Sequence, residues 1–220
     1  MVCFPVTIQA HDKTSFITLT YNDENLPSDG RIEKKHLQNF FKRLRKRYPP
    51  QSLRYFACGE YGDQTNRPHY HAIIFGEDFR FDKVDINSEL YTSPFLESVW
   101  GFGNVSIAPV TMASICYVCG YVTKKMDDPD TFNLMSRRPG IGHNWFQKYQ
   151  DDLARTGTVT IEGREWPIPK RYFDWDIKAA LDHLPEIRQE KAIENRKDGI
   201  QLRNLEKNRK SKWKERNRKL

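Results

Sequence analysis

Two runs rich in β-branched and aromatic side chains, Leu53 to Glu60 and His69 to Gly76, flank the polar segment Tyr61 to Pro68 and constrain this chain more than any other feature. They read as an antiparallel hairpin with a moderately long loop. Side chains alternate with period two along a strand, so His69 and His71 project from one face of the second run. Opposed residues of an antiparallel pair have a constant sum, and a loop centred near Gln64 and Thr65 sets Glu60 across from His69. A His-x-His pair alone is more often two ordinary half-buried histidines than a ligand pair. Glu60 as a third donor shifts the balance toward a metal site. Two imidazoles and one carboxylate leave positions open for water and a phosphate oxygen, which suits a catalytic divalent ion better than a closed structural site.

The rest of the chain supplies the layers around that hairpin. Cys3 to Gln9 and Ser15 to Tyr21 read as strands, the second alternating as FITLTY. Leu37, Phe40, Phe41, Leu44 and Tyr48 recur at three and four residues and predict a helix from about Glu33 to Tyr48, stopped by Pro49 and Pro50. Ser93 as N-cap, Pro94 at the first helical position and Glu97 mark a short helix ending near Trp100. Asn104 to Ala108 is a further strand, Thr111 to Met126 a helix and Asp127 to Gly142 a loop. Trp145 to Leu153 reads as a helix, Thr158 to Trp166 as a small hairpin around Glu162 and Gly163, and Asp174 to Leu184 as a helix. At least four mostly antiparallel strands with helices between them predict an α+β fold, an antiparallel sheet with helices on one face. The expected organisation is a core over 1–126, an extension over 127–187 and a basic helical or disordered tail over 188–220.

The helix Thr111 to Met126 carries the second constellation. At 100° per residue, with Tyr117 at zero, Tyr121 falls at about 40°, Lys124 near -20° and Lys125 near 80°. Ile115, Val118, Cys119, Val122 and Met126 form a separate apolar stripe, so the tyrosines are not needed as core. Two phenols one turn apart beside two ammonium groups suit nucleophilic attack on phosphorus. The plainer reading is a pair of amphipathic surface tyrosines. Gly120 between them costs the helix about 1 kcal/mol relative to alanine and leaves room for a close backbone approach by nucleic acid. Cys116-x-x-Cys119 lacks a second pair nearby, which argues against a zinc or redox site.

Charge points to a polyanionic partner. From Arg188 to Leu220 there are 13 Lys and Arg against 5 Asp and Glu, so the tail supplies the whole net charge of +7 of the 220 residues. A second cluster lies in Arg31 to Tyr48, with 8 basic residues against the single acid Glu33. Such surfaces gain affinity for nucleic acid by releasing condensed counterions. Lys42, Arg43, Arg45, Lys46, Arg47 and Arg67 are the candidate DNA-binding residues. No run approaches the roughly 20 apolar residues of a bilayer-spanning helix, Met1 to Ala10 lacks the pattern of a signal peptide, and four cysteines are too few for a disulfide framework. The expectation is a soluble protein of the cytoplasm with reduced thiols.

FITLTY at Phe16 to Tyr21, Gly59-Glu60, PHYH at Pro68 to His71 and YVCGYVTKK at Tyr117 to Lys125 resemble, in order and spacing, the three motifs of the HUH endonucleases, the rolling-circle replication initiators. The wording of SRRPGIGHNWF at Ser136 to Phe146 and IPKRYFDWD at Ile168 to Asp176 is similar to the initiators of Microviridae, especially the gokushovirus branch. The resemblance covers most of Phe16 to Asp176. It implies a ferredoxin-like or RRM-like sheet and a site-specific nick of one strand at the viral origin, in which tyrosine becomes linked to the 5′ phosphate and frees a 3′ hydroxyl, followed by rejoining. Carried onto this chain, His69, His71 and Glu60 would bind Mg or Mn. Tyr121 ranks first and Tyr117 second as nucleophile, with Lys124 or Lys125 at the scissile phosphate. A lysine often found between the tyrosines is missing here. Single-stranded DNA, a host helicase and a host DNA polymerase are the implied partners, because no Walker-type loop is present, and the host cytoplasm is the implied location. The residues themselves leave three rivals: a single-stranded nucleic-acid-binding protein without catalysis, an HUH transposase or relaxase, and a phosphodiesterase using metal-bound water.

Overall fold

The computed structural model describes residues 3–49, 53–62, 64–124, 130–161, 163–168, 186 and 207–208. Its centre is β1 (Thr14–Thr20), whose alternation buries Ser15, Ile17 and Leu19 on one face. Both edges of β1 are occupied: β3 (Pro68–Phe75) pairs on one side and β6 (Val105–Ala108) on the other, each antiparallel. Beyond β3 lie β2 (Arg54–Tyr61) and then β7 (Phe132–Met135). Beyond β6 come the two-residue strands β5 (Tyr91–Thr92) and β4 (Val84–Asp85). The result is a seven-stranded antiparallel sheet in the order β4-β5-β6-β1-β3-β2-β7, the α+β arrangement expected from the strand and helix pattern.

One face of the sheet carries α2 (Lys34–Arg45) and α3 (Pro94–Trp100). Leu37, Phe40, Phe41 and Leu44 of α2 and Leu96, Val99 and Trp100 of α3 close over Ile17, Leu19, Tyr70, Ala72 and Ile74. The predicted cap is present, with Ser93 Oγ accepting from Leu96 N at 3.1 Å, and Gly101 ends α3 at φ 71°. The opposite face carries α4 (Met112–Lys124), whose Ile115 and Val118 meet Phe56, Cys58, Ile73 and Phe75. Helices therefore cover both faces and not one, because β2 and β3 are apolar on both sides and each side must be buried.

Two local readings are corrected. Cys3 to Gln9 is not a strand but α1 (Cys3–Gln9), with Val6 buried and Ile8 packed beside Phe16. A short apolar run fits either element by periodicity, and β1 has no free edge left to receive another strand. The expected loop Asp127 to Gly142 contains β7, which borrows regularity from the edge of β2 rather than from its own four residues.

Gly103 is required where β1 meets the turn into β6. Its φ is 150°, and an added Cβ would lie closer than 3.0 Å to Asn22 N, Thr20 O and Tyr21 C, all backbone atoms. Gly103→Ala should displace the bonds Thr20 N to Asn104 O (3.0 Å) and Asn22 N to Phe102 O (2.9 Å). The expected cost is about 3 kcal/mol in urea unfolding; an unchanged midpoint would refute it.

The chain divides into two units, Met1–Tyr149 with Ile161–Arg164, and Gln150–Thr160 with Glu165–Leu220. The first holds the sheet and α1 to α4. The division coincides with non-helical torsions at Tyr149 inside α5 (His143–Thr156). The predicted small hairpin is β8 (Thr158–Ile161) with β9 (Arg164–Pro167). The boundaries expected after residues 126 and 187, and the helix expected over Asp174 to Leu184, fall outside the described residues. Within the tail only Lys207 and Asn208 are described, helical and exposed.

Candidate functional site

The hairpin register sets Glu60 opposite His69 and Cys58 opposite His71, while β1 sets Thr18 opposite His71. Opposed residues share a face, so Glu60, His69, His71 and Thr18 all project from the α4 side of the sheet. His69 Nε2 lies 3.1 Å and His71 Nε2 2.8 Å from Glu60 Oε1. One donor atom from each of the three residues lies within 4.8 Å of the others, the only such acidic, histidine and cysteine cluster among the described residues. Glu60 and His71 are buried at the base, and His69 is half-buried toward solvent.

Hydrogen bonds behind the histidines decide which nitrogen faces Glu60. His69 Nδ1 is 3.2 Å from the Arg67 carbonyl oxygen, which can only accept, so the proton belongs on Nδ1 and the lone pair on Nε2. His71 Nδ1 is 2.9 Å from Thr18 Oγ1. An Nε2 lone pair facing a carboxylate oxygen is favourable only with a cation between or beside them. This donor set therefore fits a divalent ion, with the oriented outer shell that metal-bound histidines usually have. Phe16 stacks on His71 with ring centroids 5.4 Å apart and planes within 6°, fixing the imidazole further.

Burial lowers the His71 pKa below its ordinary 6.5, outweighing the opposing hydrogen bond from Glu60. The folded state therefore keeps His71 neutral, the ligating form, at pH values where the unfolded chain has begun to protonate it. The sign follows: stability is complete above pH 6.5 and is lost as pH falls below it, by at most about 1.4 kcal/mol per pH unit from this residue. Melting of the metal-free protein should shift downward between pH 7.5 and pH 5.5 in roughly that proportion, and His71→Gln should flatten the shift. An equal shift in both proteins would remove His71 as its source.

The apolar stripe of α4 sets the azimuth of the tyrosine face. With Ile115 and Val118 buried against the sheet, Tyr117 stands 44% exposed at the rim and donates its hydroxyl to Glu60 Oε1 at 3.0 Å. Its ring meets His71 edge-on, centroids 5.2 Å apart. One carboxylate oxygen thus faces both imidazoles and a phenol. Tyr121 and Lys124 follow in the same helix, with side chains outside the described set, and Lys125 lies outside the described residues altogether. A Cβ on Gly120 would meet open space, so packing within the chain does not demand glycine there.

The expected DNA-binding side chains are not gathered at the triad, because α2 lies on the other face of the sheet. Arg43 is committed to the fold: it donates from Nε to Val99 O and from Nη2 to Trp100 O, both 2.8 Å, satisfying the end of α3. Arg67 donates to Asp23 Oδ1 at 2.7 Å and to Tyr21 O at 3.1 Å. Arg45 sits over the Tyr55 ring and Arg47 over Phe95, while Lys42 and Lys46 face solvent. Thr18 and Phe16 join the site without having been expected there from sequence. Their signal lies in the alternation of FITLTY, but nothing in that run says which strand β1 will pair with.

The family model for replication-associated protein ORF2 matches residues 14–126, from β1 past the end of α4. The chain is 35% identical over 188 residues to the replication-associated protein VP4 of Bdellovibrio phage phiMH2K, covering 76% of this chain and 59% of that protein. It is 30% identical over 186 residues to the replication-associated protein ORF4 of Chlamydia phage 1, covering 75% and 46%. With the replication-associated protein ORF2 of Spiroplasma virus 4 the identity is 29% over 204 residues, covering 80% and 63%. The chain thus spans between 46% and 63% of the length of these curated relatives. No solved structure matches it. No helix among the described residues is long and apolar enough to cross a membrane.

Proposed function

The chain belongs to the replication-associated protein ORF2 family, and on that premise we propose that it initiates rolling-circle replication of a single-stranded DNA phage by nicking and rejoining one strand through tyrosine. The observation that carries this reading is the Tyr117 hydroxyl, hydrogen-bonded at 3.0 Å to the same carboxylate oxygen that both histidines face. A phenol held at the mouth of a three-donor metal site is arranged for attack on phosphorus, and a structural surface tyrosine has no need of that partner.

Glu60, His69 and His71 would hold the divalent ion, Mg or Mn, which when bound supplies positive charge beside a phosphate oxygen. The Tyr117 proton leaves along its hydrogen bond toward Glu60 Oε1. The phenolate oxygen forms a bond to phosphorus while the bond from phosphorus to the 3′ oxygen breaks, and that oxygen takes up a proton to become a free 3′ hydroxyl. The 5′ phosphate stays on tyrosine. One phosphodiester replaces another, so rejoining by a later 3′ hydroxyl needs no external energy source. Tyr121, one turn along α4 and favoured by its place before the V-x-K-K element, would act as the alternate nucleophile, with Lys124 and Lys125 at the phosphate. Lys42 and Lys46, with the basic tail, would hold more distant DNA. Host helicase and polymerase would use the exposed 3′ end.

The test is to incubate the protein with Mn and labelled single-stranded oligonucleotides tiling the genome that encodes it, then resolve the products on a denaturing gel. A shifted covalent band on one oligonucleotide is the expected result. Cleavage without a band would replace transesterification by hydrolysis, and neither product would leave a DNA-binding protein without catalysis.

A further inference from the structure

A second cluster of charge lies at the far end of β2 and plays no part in the chemistry above. A cleft of about 420 Å³ is lined by Arg45, Arg54, Tyr55, Met135, Ser136, Arg137 and Arg138. Four guanidinium groups converge on it, and no carboxylate lines it. Arg54 is only 6% exposed, and the partner described for it is the Arg138 carbonyl oxygen, 3.5 Å from Nη1. Burying a guanidinium without a counter-charge costs several kcal/mol. Burial and the neighbouring Arg45 both lower the proton affinity of Arg54, as expected where like charges are packed together.

The cluster is also held in place. Tyr55 stacks on Phe41 with centroids 3.5 Å apart, and the Arg45 guanidinium lies 4.9 Å from the Tyr55 ring centroid. Arg45 Nη2 donates to Ser136 Oγ at 3.2 Å, and the same oxygen accepts from Tyr55 N at 3.1 Å. Arg137 and Arg138 remain exposed at the rim. A buried arginine at the base, a fixed one on the wall and two exposed ones at the mouth provide the forked donors that match tetrahedral oxyanions.

We propose that this cleft binds a backbone phosphate of single-stranded DNA, forming a second anchor for the strand outside the reacting centre. Arg54 projects from the same face of β2 as Glu60, six residues away, or about 20 Å along an extended strand. The phosphate held there would therefore be several nucleotides from the scissile one. The identity of the strand rests on the nickase reading; the oxyanion site itself does not.

The experiment measures binding of a labelled single-stranded oligonucleotide by fluorescence anisotropy, in EDTA so that no cleavage occurs, across about 50 to 200 mM salt. Arg137→Gln and Arg138→Gln, both at exposed positions, should each weaken binding and reduce the slope of log affinity against log salt by about 0.7. Arg54→Gln should weaken it as well; if that variant fails to fold, the two exposed variants still decide. Lys83→Gln, at the opposite edge of the sheet, should leave the slope unchanged. Unchanged slopes for the arginine variants, or an equal loss for Lys83→Gln, would overturn the proposal. Inorganic phosphate supplies the second arm. If it raises the melting temperature of the wild type but not of the arginine variants, while the DNA slopes stay equal, the cleft takes a free phosphate and the DNA anchor is refuted. Absence of a covalent adduct in the nicking assay would leave this binding readout intact, so the two readings fail separately.

Discussion

Replacing Tyr117 with phenylalanine is expected to lower the rate of covalent adduct formation on single-stranded DNA by at least about a thousandfold, the scale on which loss of a nucleophile acts. The substitution deletes one oxygen from a ring that is 44% exposed, so the fold should be unaffected. It also removes the hydroxyl that donates to Glu60 Oε1 at 3.0 Å, while the edge contact of the ring with His71 is kept. Single-turnover kinetics with saturating DNA separates this loss from weakened binding. Survival of the adduct in Tyr117→Phe together with its loss in Tyr121→Phe would return the nicking role to Tyr121, which motif position favours. Loss in either single variant only at the rejoining step would divide the labour between them.

Truncating His69 to alanine should reduce manganese affinity by more than about 100-fold, since even outer-shell partners of a metal ligand contribute 10 to 100-fold. Metal-dependent cleavage should fall in parallel. His69 is the half-buried member of the triad, so its removal leaves the buried Glu60 and His71 base and the β2-β3 pairing in place. Calorimetric titration with manganese reads the affinity directly, and binding of single-stranded DNA in EDTA should remain within about twofold of wild type. Equal cleavage by the wild type in excess EDTA would refute the metal role outright. Full manganese affinity in His69→Ala would refute the ligand set.

Much of the site is legible in the residues alone, and the reason is that its signals are local. The opposition of Glu60 and His69 depends only on hairpin parity and loop length, and β2 and β3 pair in that register. The division of α4 into an apolar stripe and a tyrosine face depends only on helical period, and Ile115 and Val118 are buried while Tyr117 is not. The Ser93 cap likewise lies within a few residues of the bonds it makes. Features that depend on partners far along the chain are not legible in this way. The run Cys3 to Gln9 looks like a strand in isolation and forms a helix because both edges of β1 are already taken. β7 looks like loop because its regularity comes from β2.

The basic face of α2 looks like part of the reacting centre until the sheet is seen to lie between them. Charge along a helix says which residues are solvated, and nothing about which side of a distant sheet the helix will cover. Arg43 has the composition of a DNA contact, and it instead caps the end of α3 through Val99 O and Trp100 O. Backbone period and short loops were enough to define the two histidines with their carboxylate, the face of the tyrosine helix and the antiparallel α+β class. Only long-range packing could bring Tyr117 to Glu60, set Thr18 and Phe16 against His71, and gather Arg45, Arg54, Arg137 and Arg138 at one cleft. Such contacts join residues far apart in the chain, and they are selected by burying whole apolar faces together rather than by any preference within the segments that supply them.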